Sequence, residues 1–118
     1  MHSTFSDGEF TPAELVDIAK TNGVSVLSLT DHDTFAGCED LVRAARNSGI
    51  DVFPGIEITV NYKNFNLHLL GYIKSLENIS SALHKRVEGM KTQREDRMHN
   101  MIDLLNKVIP ERFRGLQE

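Results

Sequence analysis

The sequence has 118 residues, of which 40% are apolar and 25% charged, and its formal net charge is −4. This length allows one domain or part of one, and the acidic balance excludes a general basic field that would attract nucleic acid or membranes. The single cysteine, Cys38, excludes an internal disulfide and a cysteine zinc cluster, and it favours a reducing, cytoplasmic setting. The sequence shows no signal peptide and no apolar run long enough to span a bilayer.

The first part of the chain predicts strands and helices in alternation. The segments are a strand end at residues 2–8, a helix at 12–22, a strand at 24–30, a helix at 38–47 and a strand at 50–53. The first helix has the clearest start, because Thr11 can cap it, Pro12 suits its first position and Glu14 completes a capping box. Strands joined by helices through short connections predict right-handed βαβ units and a parallel sheet.

The second part of the chain predicts a hairpin followed by helix. Residues 58–60 continue extended, residues 63–64 are typical of a hairpin turn, and residues 65–73 alternate like a strand. Over residues 75–108 apolar side chains recur at steps of three and four, which predicts a long amphipathic helix or a helical pair. Pro110 would end this helical stretch, since proline cannot continue a helix.

Metal-binding residue types stand at the predicted ends of several strands. Asp31, His32 and Asp33 follow the strand at 24–30, at the edge where ligands collect in α/β proteins. A carboxylate next to a ligating histidine can orient its ring. Further candidates at predicted strand ends are His2, Asp7, Glu57 and His68. Imidazole and carboxylate groups without thiolate suit Zn²⁺, Mn²⁺ or Fe²⁺.

Each of these residues also has an ordinary structural interpretation. A solvated turn explains residues 31–33, and Asp7 followed by glycine is a normal turn residue. Glu57 could cap a loop, and His68 taken alone is typical of a half-buried histidine. Because candidates from four segments would meet at one sheet edge, the set as a whole favours a metal site.

Four blocks of the sequence carry a recognisable pattern in their order and spacing. They run from His2 to Gly8, from Leu29 to Gly37, from Pro54 to Ile58 and from His68 to Tyr72. These blocks, which cover about residues 2–73, resemble the polymerase and histidinol phosphatase (PHP) family. Within the family the sequence is most similar to small phosphoesterases that act on nucleoside phosphates and short oligonucleotides. The stretch from Leu76 to Val108 resembles the helical insertion of those members.

The resemblance implies a fold and a site. The fold is α/β, a distorted (β/α)7 barrel, of which this chain would form a part followed by a C-terminal helical insertion segment. The family site holds two or three divalent metal ions, and the residues that match its ligands are His2, Asp7, His32, Glu57 and His68. Among them Glu57 would bridge two metals. Asp31 and Asp33 fall outside the ligand set, and we expect them to contact the ligands and not the metal ions.

The helical segment offers candidate substrate contacts. Arg94 and Arg97 could hold a phosphate that does not react. The alternative is a solvated helix face on which these arginines pair with Glu95 or Asp96. A third interpretation is a dimerising or nucleic-acid-contacting fragment, although the mixed Glu, Lys and Arg composition argues against a strong phosphate-binding stripe.

The sequence departs from the family pattern at both ends. The family motif begins Asp-x-His-x-His, whereas this sequence starts one residue before the second of those histidines, His2. Further family ligands, a histidine and an Asp-x-His, would lie beyond residue 118. We therefore expect part of a barrel at residues 1–74, the insertion at 75–110 and a frayed tail at 111–118. Part of a barrel exposes strand edges and an apolar face, which predicts a homo-oligomer or pairing with the missing half.

The function that the resemblance implies is metal-dependent hydrolysis of nucleotide or short oligonucleotide phosphates. Metal ions can supply a bound hydroxide and clamp the phosphoryl oxygens. The isolated chain, which lacks part of the site, could be inactive. The main alternative is a non-catalytic PHP-like module that binds metal or a partner. Within the family, histidinol phosphatase and polymerase-associated exonuclease activities also stay open.

Overall fold

The computed structural model describes residues 1–109, which form a three-stranded sheet, three α-helices and one 3₁₀ turn. In chain order the elements are α1 (Pro12–Thr21), β1 (Val26–Leu29), α2 (Cys38–Ala45), β2 (Asp51–Tyr62), β3 (Phe65–Tyr72), the 3₁₀ turn (Leu76–Asn78) and α3 (Ser81–Val108). The alternation of strands and helices is confirmed, and the helical stretch is one helix rather than a pair. The predicted helix stop at Pro110 and the predicted frayed tail lie outside the described residues.

The start of α1 is set by its sequence. The Thr11 hydroxyl accepts a hydrogen bond from the Glu14 amide at 3.3 Å, and the Glu14 carboxylate accepts one from the Thr11 amide at 2.8 Å. This reciprocal pair is the predicted capping box, and it satisfies two amides that the first helical turn leaves without partners. The helix ends at Asn22, whose amide donates to the Ile18 carbonyl, and Gly23 follows with a positive φ of 68°.

The sheet is mixed, with the order β1-β2-β3. β1 and β2 are parallel, as the helical crossover predicts. The predicted parallel pairing is thus found between β1 and β2, and β3 is antiparallel to β2, as the predicted hairpin requires. The reason is the predicted hairpin turn: Lys63 and Asn64 both adopt positive φ, at 47° and 69°, and this tight turn sends the chain straight back along β2.

β2 is longer than the sequence suggested. The two extended pieces expected around Pro54-Gly55, at residues 50–53 and 58–60, belong, except for Ile50, to one strand of 12 residues. The Pro54 carbonyl accepts a hydrogen bond from the Ile73 amide at 2.8 Å, just beyond the end of β3. The Pro54 nitrogen, which has no hydrogen to donate, faces the same side of the strand. Proline is therefore tolerated at this position. Glu57 therefore lies within a continuous strand and not beyond the end of a short one.

The helices cover one face of the sheet. α1 and α2 pack on β1 in a cluster that contains Leu15, Val16, Ala19, Leu27, Leu29, Leu41, Ala45 and Ile50. A second cluster joins α3 to β2 through Val87 and Ile56, together with Phe35 and Cys38. Only the first half of α3 takes part in it, since Met98, Met101, Leu104 and Val108 are at least half exposed.

The opposite face of the sheet is open within residues 1–109. Side chains alternate along a strand, so the registers place Val26, Phe53, Leu70 and Tyr72 together on this face. Their exposed fractions range from 40% to 63%. An exposed apolar sheet face is what the sequence led us to expect. No helix in the described part of the chain is long and apolar enough to cross a membrane.

Gly55 allows β1 and β2 to approach each other. A Cβ at this position would lie 2.7 Å from both the Leu29 carbonyl oxygen and the Ser28 hydroxyl. We expect Gly55→Ala to lower the free energy of unfolding by about 1–3 kcal/mol, because the strands must separate to admit the methyl group. Urea unfolding followed by circular dichroism measures this change.

Gly89→Ala is the matched control. Gly89 lies inside α3, and a Cβ there would meet nothing within 4 Å. Because alanine favours helix over glycine, this variant should gain about 0.5–1 kcal/mol in stability. Equal effects of the two substitutions would contradict the role we give to the close approach at Gly55.

Candidate metal centre

His32 and Glu57 become neighbours through the register of the parallel strands. Beyond Leu29, the pairing with β2 continues in the same register to an isolated bridge between His32 and Glu57. The Glu57 amide donates to the Asp31 carbonyl at 3.0 Å, and the Asp33 amide donates to the Glu57 carbonyl at 2.9 Å. Both side chains therefore leave the backbone side by side, on the open face of the sheet.

His68 reaches the same place from the antiparallel strand. It pairs with Thr59, two residues beyond Glu57, and is thus the diagonal neighbour of Glu57 on the open face. Its Nδ1 lies 3.2 Å from Oε1 of Glu57. The expectation that His68 stands at a strand end is wrong, because β3 extends on both sides of it.

His2 and Asp7 are carried by a loop that starts beside β1. The Met1 carbonyl accepts a hydrogen bond from the Thr30 amide at 2.8 Å, which places His2 next to the end of β1. The predicted strand end is not itself a strand, and residues 4–7 form the expected turn. The Ser3 carbonyl accepts hydrogen bonds from the Ser6 and Gly8 amides, at 3.0 and 2.9 Å, and this curl returns Asp7 to the side of His2.

Gly8 is required by the tightness of this loop. A Cβ on Gly8 would overlap the carbonyl group of His2 and approach the Ser3 amide. A side chain there would push apart the two ends of the loop. The Asp-Gly pair, which the sequence identified only as a turn signal, therefore also determines the separation of His2 and Asp7.

The structure brings all five predicted ligand residues together. His2 Nδ1 lies 2.9 Å from Asp7 Oδ1, and His2 Nε2 lies 2.9 Å from Glu57 Oε2. His32 Nε2 lies 3.6 Å from the other Asp7 oxygen. One potential ligand atom from each of His2, His32 and Glu57 can be chosen so that all three lie within 4.8 Å of one another. The rings of His32 and His68 have their centres 5.2 Å apart.

The donor set fits a bound cation. Nδ1 of His2 is buried and, although it lies 2.9 Å from an Asp7 oxygen, makes no hydrogen bond to any described residue. Nδ1 of His32 is buried and has no hydrogen-bond partner among the described residues. A metal ion can satisfy such nitrogen lone pairs. Imidazole and carboxylate donors match the predicted choice of Zn²⁺, Mn²⁺ or Fe²⁺.

The charge of Asp7 is favoured by its surroundings. Desolvation acts to raise the pKa of its carboxyl group, but His2 and His32 outweigh this effect, and the pKa lies below its ordinary value. The hydroxyl of Ser6, 3.3 Å from Oδ1, acts in the same direction. Asp7 is therefore an ionised carboxylate at neutral pH, the form that binds metal.

Asp31 and Asp33, the chain neighbours of His32, point away from the cluster, and each has a specific partner that the sequence did not indicate. Asp31 accepts hydrogen bonds from Ser3 and Ser6. Asp33, only 6% exposed, accepts one from the Thr59 amide and one from Arg94 Nη2, both at 2.8 Å.

Arg94 and Arg97 differ in their surroundings. Arg94 pairs with Asp33 instead of Glu95 or Asp96, and so ties α3 to the loop that carries His32. Arg97 is exposed and has no ion pair with any residue between 1 and 109. Sequence analysis missed Lys91, which lies one helical turn before Glu95 and forms an ion pair with it at 3.8 Å. The signal available was the helical spacing of Lys91 and Arg94, which places both cations on one side of α3.

A cleft lies between α3 and His32, one of the candidate ligands. Its volume is about 290 Å³, and it is bounded by Phe5 and Ser6 on one side, by His32 and the residues that follow it, and by α3. Lys91 and Arg94 line the α3 side. The cleft thus brings two cationic side chains and one candidate ligand to a common space.

Comparison with known proteins gives the relatives of this chain. The PHP domain family matches residues 1–116. The chain is 36% identical to a Haemophilus influenzae 5′-3′ exoribonuclease over 97% of its own length and 41% of that protein. It is 34% identical to a Chromobacterium violaceum 3′,5′-nucleoside bisphosphate phosphatase over 82% of its own length and 32% of that protein.

A solved structure agrees with the sequence relatives. A Bifidobacterium adolescentis protein assigned as a metal-dependent phosphoesterase has a TM-score of 0.83 and 28% identity, over 92% of this chain and 37% of that one. The chain therefore spans well under half the length of the relatives it matches. With a family match over nearly its whole length, and with the four sequence blocks gathered around one cluster of histidines and carboxylates, the chain belongs to the PHP domain family.

Proposed function

We propose that this chain forms the metal-binding part of a PHP phosphoesterase that hydrolyses nucleotide or short oligonucleotide phosphates. The observation that carries the proposal is the arrangement of the two carboxylates. The oxygens of Asp7 face His2 and His32, and those of Glu57 face His2 and His68. Each carboxylate thus lies between two imidazoles, which suits a centre with more than one metal ion.

We assign the metal ligands accordingly. They are His2, Asp7, His32, Glu57 and His68, and the two oxygens of Glu57 face His2 and His68, which supports Glu57 as the ligand that two ions would share. Two or three Mn²⁺, Zn²⁺ or Fe²⁺ ions in the complete site would supply a hydroxide nucleophile at neutral pH and neutralise charge on the phosphoryl oxygens. The contribution of the chain is to hold these five side chains in place on one side of the sheet.

The cleft beside His32 supplies the other half of a phosphate site. Lys91 and Arg94 offer N–H donors in this cleft, where each is paired with a carboxylate, Glu95 or Asp33, and Arg97 adds an exposed cation one turn farther along α3. A nucleoside bisphosphate or an oligonucleotide carries a phosphate besides the one that reacts, and these side chains can hold it. Asp33 fixes the direction of Arg94 through their 2.8 Å ion pair.

The open face of the sheet indicates how the site is completed. Val26, Phe53, Leu70 and Tyr72 lie on the same face as Glu57 and His68 and are 40–63% exposed. We propose that the rest of a distorted (β/α)7 barrel covers this face, either in the same polypeptide or in a second chain. A reducing, cytoplasmic location fits Cys38, whose pKa is raised by its burial.

The direct test combines metal analysis with an assay. The purified chain is loaded with Mn²⁺, its bound metal is measured, and it is incubated with a nucleoside 3′,5′-bisphosphate, with a short 5′-phosphorylated RNA, and with histidinol phosphate. At least two ions per chain and release of phosphate or nucleotide from the first two substrates would support the proposal. Metal binding without turnover would favour a non-catalytic metal-binding module. The exposed apolar face of the sheet is compatible with such a module, because it offers a surface to a partner.

The ligand assignment predicts the effect of two substitutions on metal binding. His32→Ala and Glu57→Gln should each remove a donor from the cluster of three and lower the Mn²⁺ affinity by about 10-fold or more. Isothermal titration of the metal-free chain with Mn²⁺ measures this loss.

Two substitutions of the same kind serve as controls. His84→Ala and Glu88→Gln lie on α3, outside the cluster, and should leave the affinity unchanged. An unaltered metal stoichiometry and affinity in His32→Ala would refute the assignment.

The substrate side of the cleft is tested with inorganic phosphate. Lys91→Ala should weaken phosphate binding to the Mn²⁺-loaded chain about 3–10-fold, since one charge-assisted hydrogen bond is lost. Arg97→Ala should have a smaller effect, because Arg97 lines the neighbouring cleft and not the one that contains His32.

The matched control is Lys107→Ala, which removes an exposed lysine near the end of α3. Metal content should be the same in all three variants, so that the change in phosphate affinity belongs to the cleft. If Lys91→Ala and Lys107→Ala bind phosphate equally well, the phosphate does not lie beside α3.

A further inference from the structure

Asp31 is a buried carboxylate with an unusual set of partners. It is 1% exposed, and its oxygens accept three short hydrogen bonds: from the Ser3 amide at 2.6 Å, from the Ser3 hydroxyl at 2.7 Å and from the Ser6 hydroxyl at 2.6 Å. A buried charge is costly unless it is well hydrogen-bonded, and charge-assisted bonds are about twice as strong as neutral ones. The carboxylate and the loop at residues 3–6 therefore stabilise each other.

This loop is the segment between His2 and Asp7. Its other hydrogen bonds stay within residues 3–10 or join neighbouring side chains of the loop. In the part of the chain that the structure describes, every hydrogen bond from residues 3–6 to the strand segments ends on the Asp31 carboxylate. The loop between His2 and Asp7 is thus tied to the strand segments by one side chain, while His2 is also held by the hydrogen bond from the Thr30 amide to the Met1 carbonyl.

The backbone of Asp31 serves a second purpose. Its carbonyl accepts the hydrogen bond from the Glu57 amide that extends the β1–β2 pairing, and its neighbour in the chain is His32. One residue therefore contacts all three segments that carry the cluster of His2, His32 and Glu57. His68 is outside this connection, since β3 alone holds it.

We propose that Asp31 is a positioning residue that holds His2 and Asp7 against His32 and Glu57. The inference rests on the proposed metal site, because it concerns the placement of the proposed ligands. Asparagine has the shape of aspartate but not its charge. Its NH₂ group would take the place of Oδ2, so the Ser3 hydroxyl would have to change from donor to acceptor, and the two bonds to the remaining oxygen would lose their charge assistance.

The test compares Asp31→Asn with the wild-type chain by two measurements. Hydrogen exchange of the metal-free chain should show faster exchange at the amides of Ser3, Ser6 and Gly8, with the amides of α1 unchanged. Isothermal titration should show a Mn²⁺ affinity lowered about 10–100-fold, the usual effect of removing a group that orients ligands. Asp40→Asn, which removes an exposed carboxylate paired with Arg43, is the control and should change neither.

A double-substitution cycle separates positioning from general destabilisation. Combined with the pair His2→Ala and Asp7→Ala, Asp31→Asn should cause little further loss of Mn²⁺ affinity, because both ligands that it positions are already gone. Combined with His68→Ala, its effect should add in full. Equal, additive effects in both combinations would overturn the proposal.

The remaining outcomes are also decisive. Wild-type exchange and wild-type affinity in Asp31→Asn would refute the positioning role. If Asp31→Asn does not fold, Ser6→Ala removes one of the three bonds and should give a smaller change in the same direction, and no change would overturn the proposal. If the wild-type chain itself binds no metal, the proposed function fails, whereas the exchange measurement still tests whether Asp31 holds the loop.

Discussion

The structure depends on the register between β1 and β2. The pairing that starts at Val26 and Asp51 continues without slipping to His32 and Glu57, where the strands diverge. A shift by one residue would turn Glu57 to the helix-covered face, because neighbouring side chains point to opposite sides of a sheet. Burial of Leu27, Leu29 and Ile56 under the helices opposes such a shift. The apolar core thus determines which polar side chains reach the metal centre.

The site itself is held by two kinds of structure. His32, Glu57 and His68 are placed by backbone pairing, which the core protects. His2 and Asp7 are placed by a loop, whose geometry depends on side-chain hydrogen bonds and on a glycine. Changes in the loop can therefore alter the site without unfolding the sheet, whereas changes in the strands affect both. The loop therefore needs the buried hydrogen bonds that Asp31 accepts from Ser3 and Ser6.

Much of this arrangement could be predicted from the sequence. The capping box at Thr11, the hairpin turn at Lys63 and the family blocks depend on local patterns, and local patterns are read directly. The continuity of β2 through Pro54 could not be predicted, because it depends on whether the neighbouring strand needs a hydrogen bond from the Pro54 nitrogen, and the sequence does not show which side of the strand that nitrogen faces. The partners of Asp31 and Arg94 were also hidden, since they lie 25–28 and 61 residues away in the chain.

The pairing of Arg94 with Asp33 gives α3 a role that its length alone does not suggest. The first half of the helix packs on β2 through Val87, and the ion pair fixes the next turns beside the loop of His32. A helix held at both points can present Lys91 to the cleft at a constant distance from the ligand residues. Since Asp33 pairs with Arg94 and Glu95 pairs with Lys91, an incoming phosphate would meet balanced charges in the cleft and bind through the unused donors of both cations. In the proposed site, the binding of a phosphate that does not react would then depend on α3, while the candidate metal ligands would act on the phosphate that does.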